Sequence, residues 1–455
     1  MDVFREHLTD SIAKQWRDYI RIRAAIIAVV LVVPTFLFGG RNNILMYISG
    51  WSFETCNVFH RHIGFWMFWQ SAVHGIVFTI DYTIRHRYMR IWTKLNLRSG
   101  AISTMIASVI VMLAAFPIRH YYYEFFLASH IILAIVFAKF VFYHAVDRGY
   151  PNYVYALVAI WAFDRVIRLV RICSHGLYLN AEVTANADIM TIKVKPRFDI
   201  KPKPGQYGYL YIADLHYKFW ESHPFSVIES RDGKYHFLVG KEGGMTRWLH
   251  NRAINSEGGT TNIRVMVEGW YGHEPAIARY DTVLIIGGGI GITAAMATAL
   301  DVVRKARINQ HVFFYWILRG HANLEMVSEQ LSELSASSHI DVTIFCRPNA
   351  SAETESLDEK IITYNADESD STNSISKKKS QSSASLEATS CPNIVETRPA
   401  FGQIIASTIS DAPGSVAVFT CGPGTLVDEC RRAVTENAGN GRGRVEYFED
   451  AFSWA

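Results

Sequence analysis

With 455 residues and a formal net charge of only +3, the chain is too long for one ordinary domain and too weakly basic for a nucleic-acid binder, and no Lys/Arg-rich tract is interleaved with aromatics. Its six cysteines, Cys56, Cys173, Cys346, Cys391, Cys421 and Cys430, form neither a C-x-x-C pair nor a dense disulfide framework, so the soluble part is expected in a reducing compartment. The 49% hydrophobic content averages two unlike halves: apolar runs rich in Phe, Trp and Tyr up to about Val170, then strand-like runs, turns and a glycine loop from about Ser174.

The first nineteen residues are polar and mixed in charge. They lack the apolar core and small-residue cleavage site of a signal peptide, so the first span is expected to direct the chain to the membrane. Five segments approach the roughly 20 apolar residues that a bilayer crossing needs: about 20–38, 53–80, 102–118, 125–142 and 153–170. Pro34 interrupts the first, and the last carries Asp164, Arg165 and Arg168. In the second span His60 and His74 lie 14 residues apart, and in the fourth His130 and His144 repeat that interval. Fourteen residues are close to four helical turns, so each pair shares one helix face with about 21 Å between its members. Two such helices side by side make two His–His sites at different depths, the donor pattern of two bis-imidazole haem irons. Ionisable groups inside a membrane tend to be functional, and the clustered ligands of a zinc-type site do not occur along these spans.

The soluble half opens with short runs at 190–194, 207–212, 235–240 and 263–267, divided by turns such as Lys203-Pro204-Gly205 and Asp232-Gly233, a pattern that predicts a small antiparallel barrel. Within it stand His223-Pro224-Phe225-Ser226-Val227 and, twenty residues on, Gly243-Gly244-Met245-Thr246. Two glycines and a hydroxyl bring backbone N–H groups close to a pyrophosphate, and the two motifs together point to a flavin site. From Thr282 the pattern becomes βα alternation and predicts a parallel sheet. The strand-like run 283–286 leads into Gly287-Gly288-Gly289-Ile290-Gly291-Ile292-Thr293 and a helix expected from Ala294, the context a dinucleotide loop requires. The next strand ends at Arg319 rather than at an acid, which favours NADPH over NADH. Residues 349–399 hold few large apolar side chains and predict a disordered insertion. Cys421-Gly422-Pro423-Gly424 follows another strand at the sheet edge where ligands bind, and the aromatic terminus suggests a docked tail with Trp454 against a ring.

In this order, the histidine pairs, HPFS, GGIGIT, CGPG and the aromatic terminus resemble the fungal ferric-chelate (ferric/cupric) reductases, relatives of the NADPH oxidases. The resemblance implies a multi-domain membrane protein: a helical transmembrane haem domain over 1–173, a ferredoxin-reductase-like FAD-binding β-barrel over 174–280 and an α/β NADPH-binding domain over 281–455. By it, His60/His130 and His74/His144 ligate an inner and an outer b haem, and His223, Pro224, Phe225 and Ser226, with Val227 beside them, line FAD. Gly287, Gly288, Gly289, Gly291, Thr293, Cys421, Gly422 and Pro423 meet NADPH, Trp454 shields the flavin ring, and His223, Ser226, Cys421 and Trp454 stand nearest the chemistry. The chain departs from the family in three places. A further span usually precedes the first one here, so a shortened or incomplete form is expected; Gly269-Trp270-Tyr271-Gly272 replaces the usual Gly-Pro-Tyr-Gly; and Ala294 stands where a proline often follows the glycine loop.

A cytosolic flavin domain requires the loop bearing Arg85, Arg87, Arg90, Lys94 and Arg98 to face outward, against the positive-inside tendency. That loop then either steers anionic ferric chelates inward or touches lipid headgroups. The expected reaction carries electrons from NADPH through FAD and the inner and outer haems to Fe(III), with Cu(II) left open as a second acceptor, in support of iron uptake, with the plasma membrane the first location and the vacuolar membrane the second. Two rivals stand beside it: an oxidase that forms superoxide, and a catalytically silent membrane scaffold. The lipid bilayer and ferric chelates are the expected partners, and a homo-oligomer is left open.

Overall fold

The computed structural model describes residues 2–186, 188–198, 200–215, 218, 220–230, 232–305, 307, 309–319, 321–347, 393–397 and 399–451. The membrane half consists of α1 (Asp2–Phe38), α2 (Ile44–Ser49), α3 (Phe53–Ile84), α4 (Met89–Thr93), α5 (Leu95–Leu113), α6 (Phe116–Tyr121), α7 (Tyr123–Ala145) and α8 (Pro151–His175). Helix α1 runs unbroken through Pro34, contrary to the expected interruption. The next residue, Thr35, donates its hydroxyl to the Leu31 carbonyl at 2.7 Å, the local side-chain bonding that lets spanning helices tolerate proline. The third expected span is displaced: α5 begins at Leu95 and ends at Leu113. Pro117 lies in the first turn of α6; it has no N–H for the Leu113 carbonyl and its ring clashes there, so α5 cannot continue through it.

Ser52 caps α3, accepting the Thr55 N–H at 3.1 Å, and Asn43 caps α2 through the Leu45 N–H at 2.9 Å, so both helices start on satisfied backbone donors. Among the described residues four helical stretches are long and apolar enough to cross a membrane: Ile12–Phe38, Phe53–Ile84, Leu95–Leu113 and Tyr123–Arg148. The fifth expected span, α8, has the length to cross a membrane but carries Asp164, Arg165, Arg168 and Arg171, and its charged half packs on the barrel. Val32, Met67, Ala107, Phe137, Val154 and Leu157 form the bundle core. Trp66, Ile76 and Ile132 are exposed on its outside, as suits a surface solvated by lipid.

The second unit is built from β1 (Leu179–Asn186), β2 (Ile189–Val194), β3 (Tyr207–Ile212), β4 (Ser222–Ser226), β5 (Ile228–Glu229), β6 (Tyr235–Gly240), α9 (Gly244–Ile254) and β7 (Thr260–Tyr271). Its seven strands are antiparallel in the order β4-β3-β7-β1-β2-β6-β5, and the sheet curls so that β4 meets β6. Alternate residues of β1 turn inward, and Val183, Ile192, Phe237, Leu249 and Val265 fill the interior.

The third unit comprises β8 (Thr282–Gly288), α10 (Ile292–Arg304), β9 (His311–Arg319), α11 (Ser328–Ser335), β10 (Ile340–Arg347), β11 (Asn393–Val395), α12 (Phe401–Asp411), β12 (Val416–Gly422), α13 (Gly424–Asn437) and β13 (Val445–Ala451). Its strands are parallel in the order β11-β10-β9-β8-β12-β13. Every residue of β8 and β12 is buried, as helices on both faces of a parallel sheet demand. The chain winds outward in one direction from β8 and in the other from β12, so a topological switch point falls between them. Of the insertion expected at 349–399, residues 349–392 and Arg398 lie outside the described residues, whereas 393–395 form the edge strand β11. Strand pairing, which local composition does not reveal, therefore places the start of that ordered stretch before 399.

Trp316 in β9 is 1% exposed and its indole donates to the Gly289 carbonyl at 3.2 Å, so one side chain joins the sheet core to the glycine loop. Trp316→Ala should destabilise this unit by about 3–5 kcal/mol, read as a lower melting temperature of the solubilised chain.

Candidate functional site

Helices α3 and α7 bring the four histidines together in two tiers. The rings of His60 and His130 have centroids 6.0 Å apart at an interplanar angle of 64°, and those of His74 and His144 lie 6.1 Å apart at 60°. Three of the rings are aimed by the backbone of other elements. His60 Nδ1 lies 2.8 Å from the Thr35 carbonyl, His74 Nδ1 2.9 Å from that of Arg21 and His144 Nδ1 2.8 Å from that of Asn96. A carbonyl only accepts, so in each ring Nδ1 carries the proton and the Nε2 lone pair remains for a metal. His130 Nδ1 is buried without a hydrogen-bond partner among the described residues. Glycines admit two of these rings: a Cβ on Gly39 would lie 3.1 Å from His60 Nδ1, and one on Gly100 only 2.6 Å from His144 Nδ1.

A metal–imidazole bond of about 2.0 Å, plus about 1.1 Å from nitrogen to ring centre, sets trans imidazole centroids about 6.2 Å apart. Both tiers have that spacing. Each tier would therefore suit one metal held between its two imidazoles.

A cavity of about 2650 Å³ extends from the His60/His130 tier to the barrel, where His223, Pro224, Ser226, Gly243, Gly244 and Met245 share its wall. Of the remaining motif residues, Phe225 and Val227 pack with the barrel core. The Thr246 hydroxyl donates to the Gly243 carbonyl at 3.0 Å and accepts the Glu242 N–H at 3.2 Å, which shapes the loop. Gly244 has φ +51° at the first residue of α9, a left-handed conformation glycine adopts without strain. Gly243, Gly244 and Met245 at that helix start line the cavity, and a helix start, whose first N–H groups lack intrahelical partners, favours an anion.

Tertiary structure adds residues that the motifs did not mark. Glu124 of α7 approaches His223 Nε2 at 3.6 Å, and Glu221 completes a group of three whose ligand atoms lie within 4.8 Å of one another. Burial first, then Arg41 and Lys218, hold the His223 imidazole below its ordinary pKa against the opposing pull of Glu221. Asp450 of β13 also lines the cavity, and burial pushes its carboxyl up to about 6.

The other recess lies at the switch point. Gly287 and Cys421 are paired across β8 and β12, and the two following loops touch. A Cβ on Gly291 would lie 2.4 Å from the Cys421 carbonyl oxygen, and Gly422, at φ +155°, packs its Cα against Gly288. The helix α10 starts at Ile292, two residues earlier than expected, after the turn Gly289–Gly291. Thr293 donates its hydroxyl to the Ile290 carbonyl at 3.1 Å. Cys421 is fully buried, and desolvation drives its thiol pKa well upward, so it stands here as a small neutral group. Pro423 packs beside Gly288. Arg319 ends β9, but its side chain lies outside the described residues, as does Trp454.

Three families match in succession along the chain: "Ferric reductase like transmembrane component" over residues 24–141, "FAD-binding domain" over 176–275 and "Ferric reductase NAD binding domain" over 280–435. The chain therefore matches, in order, a ferric-reductase-like transmembrane component, an FAD-binding domain and a ferric reductase NAD binding domain. A "Probable ferric reductase transmembrane component" of Candida albicans is 30% identical over 437 residues, covering 95% of this chain and 65% of the relative. "Ferric reductase transmembrane component 3" of Saccharomyces cerevisiae is 30% identical over 469 residues, covering 98% and 63%. The chain thus spans less than two thirds of the length of these ferric reductase components. Among solved structures, a ferredoxin reductase in carbazole 1,9a-dioxygenase is 18% identical, with 59% of this chain and 69% of that one covered at a TM-score of 0.36. His60, His74 and His130 fall within the residues matched by the transmembrane component and His144 just beyond them, while the two glycine loops fall within the FAD-binding and NAD-binding matches.

The contact at Gly291 leaves no room for a methyl group. Gly291→Ala should push the loops apart and weaken dinucleotide binding at least about tenfold, the equivalent of about 1.4 kcal/mol, with bound flavin unchanged; titration of the flavin-loaded chain with dinucleotide checks both.

Proposed function

We propose that the chain is the electron-carrying core of a transmembrane ferric-chelate reductase, taking electrons from cytosolic NADPH through FAD and two b haems to Fe(III), and to Cu(II), across the plasma membrane in support of iron uptake. The observation that carries this reading is the pair of histidine tiers at metal-bridging separation, the nearer sharing one cavity with the flavin-domain loops. Bound there, FAD converts a two-electron hydride donor into single-electron steps, and haem carries those electrons through the hydrocarbon.

The residues fit these groups. His60 and His130 would hold the nearer haem and His74 and His144 the farther, with the carbonyls of Thr35, Arg21 and Asn96 fixing the tautomers of three ligands. An iron held by two imidazoles would suit electron transfer rather than oxygen binding. His223, Pro224 and Ser226 would flank the flavin, and the α9 start at Gly243 and Gly244 would take its pyrophosphate. The recess between Gly287–Gly291 and Cys421–Pro423 would place the dinucleotide at the carboxyl edge of the sheet, where ligands bind in open α/β folds. An arginine rather than an acid at the end of β9 supports NADPH, since an acid there would pair with the free ribose hydroxyl of NADH.

Purified chain given NADPH should show reduced haem bands and reduce ferric citrate faster than it forms superoxide. Prompt superoxide without ferric reduction would favour an oxidase, and no haem bands would leave a scaffold. His74→Ala, and Gly100→Ala through the crowding of His144, should each lower haem content from two to one per chain with flavin retained; full haem content in both would refute the ligand assignment.

A further inference from the structure

Between the membrane bundle and the barrel lies a buried polar cluster that neither cofactor assignment explains. Its centre is Glu268 of β7, whose side chain has no solvent exposure. Arg41, on the segment joining α1 to α2, donates to both carboxylate oxygens at 3.1 and 3.2 Å. Arg168 of α8 does the same through Nε at 3.0 and 3.1 Å. The hydroxyls of Tyr211 and Tyr271 complete the shell at 2.5 and 2.7 Å. Burial alone would lift the Glu268 carboxyl, but Arg41 and Arg168 outweigh it and hold the group below its usual range, so it stays ionised. A second clasp stands beside the first. Arg171 of α8 donates to the Trp270 carbonyl at 2.8 Å, to Asn42 Oδ1 at 3.0 Å and to the Tyr47 hydroxyl at 2.5 Å.

Contacts between domains of one chain are by default small and mobile. A fully buried carboxylate shared by two guanidinium groups resists such motion, because separating the partners leaves charges buried and unpaired. The connections on either side of the clasp are short. Toward the bundle, Arg41 follows by two residues Gly39, which packs on the His60 ring. Toward the flavin loops, Glu268 pairs with Tyr209 of β3 and Tyr209 pairs with Pro224 of β4. The Arg41 guanidinium stacks 3.4 Å from the Tyr209 ring centre and reaches Ser222, next to His223, at 3.3 Å.

We propose that Arg41, Arg168, Arg171 and Glu268 are positioning residues that lock the barrel onto the bundle and so fix the separation between the flavin loops and the nearer histidine pair. The inference rests on the redox reading above. Electron transfer slows steeply as its partners move apart, so the step from flavin to haem is the one that depends on this clasp, while hydride delivery within the soluble half does not.

Arg171 tests this apart from cofactor binding, since Arg41, Arg168 and Glu268 line the shared cavity and Arg171 does not. The flavin- and haem-loaded full chain is mixed with NADPH, and flavin and haem bands are followed separately by stopped flow. Hydrogen exchange of β7 is followed in parallel. In Arg171→Gln, flavin and haem content and the rate of flavin reduction should stay within about twofold, haem reduction should slow at least about tenfold, and exchange in 260–271 should rise. Arg171→Lys should restore part of the rate. Glu268→Gln should do the same more severely; if it fails to fold, the Arg171 pair decides. Haem reduction at the parental rate in Arg171→Gln, with exchange unchanged, overturns the clasp. A parent chain whose haem NADPH does not reduce overturns the redox reading itself, a result separate from any variant.

Discussion

Three hydrogen bonds from imidazole N–H groups to backbone carbonyls set the geometry on which the rest depends. Thr35, Arg21 and Asn96 each accept an Nδ1 proton, and none of them lies on a helix that carries a histidine of the four. The carbonyls of Thr35 and Arg21 come from α1 and that of Asn96 from α5, so ring orientation is a property of bundle packing rather than of α3 and α7 alone. The same packing is so close that two neighbours, Gly39 and Gly100, have no side chain to spare. Two tiers of paired imidazoles follow, with ring centres 6.0 and 6.1 Å apart.

The proposed electron path needs its stations to be held, and the membrane bundle and its junction with the barrel are held differently. Inside the bundle, apolar packing around Leu157 and Phe137 suffices. Where the bundle meets the barrel the solution is ionic, with Glu268 buried among two arginines and two tyrosines. Such a cluster adds little net stability over apolar packing; what it supplies is one relative placement. The nucleotide unit uses a third device, the contact between Gly291 and Cys421 at the switch point of the sheet.

Much of this was legible in the chain because it is local. An interval of fourteen residues determines a helix face, and a glycine run after a buried strand determines a loop at a helix start. The curled antiparallel sheet and the parallel sheet followed from the same kind of periodicity. The errors have physical causes. Pro117 shifted the third span toward the amino terminus, and Thr35 let α1 continue past Pro34. Pairing with β10 turned 393–395 into a strand. The charges of α8 read as defects in a span, although they are the bundle's side of the interface. Nothing local marks Arg41 as the partner of Glu268, 227 residues away, or Glu124 as the neighbour of His223. Such pairs exist only once the fold has formed.

The two-tier arrangement can be counted directly. Low-temperature paramagnetic resonance of the purified, oxidised chain should show two low-spin ferric centres per molecule, each with two imidazole ligands, and His74→Ala should remove one of them. A single low-spin centre in the parent chain, or high-spin iron at both positions, would contradict a route across the membrane built on four histidines.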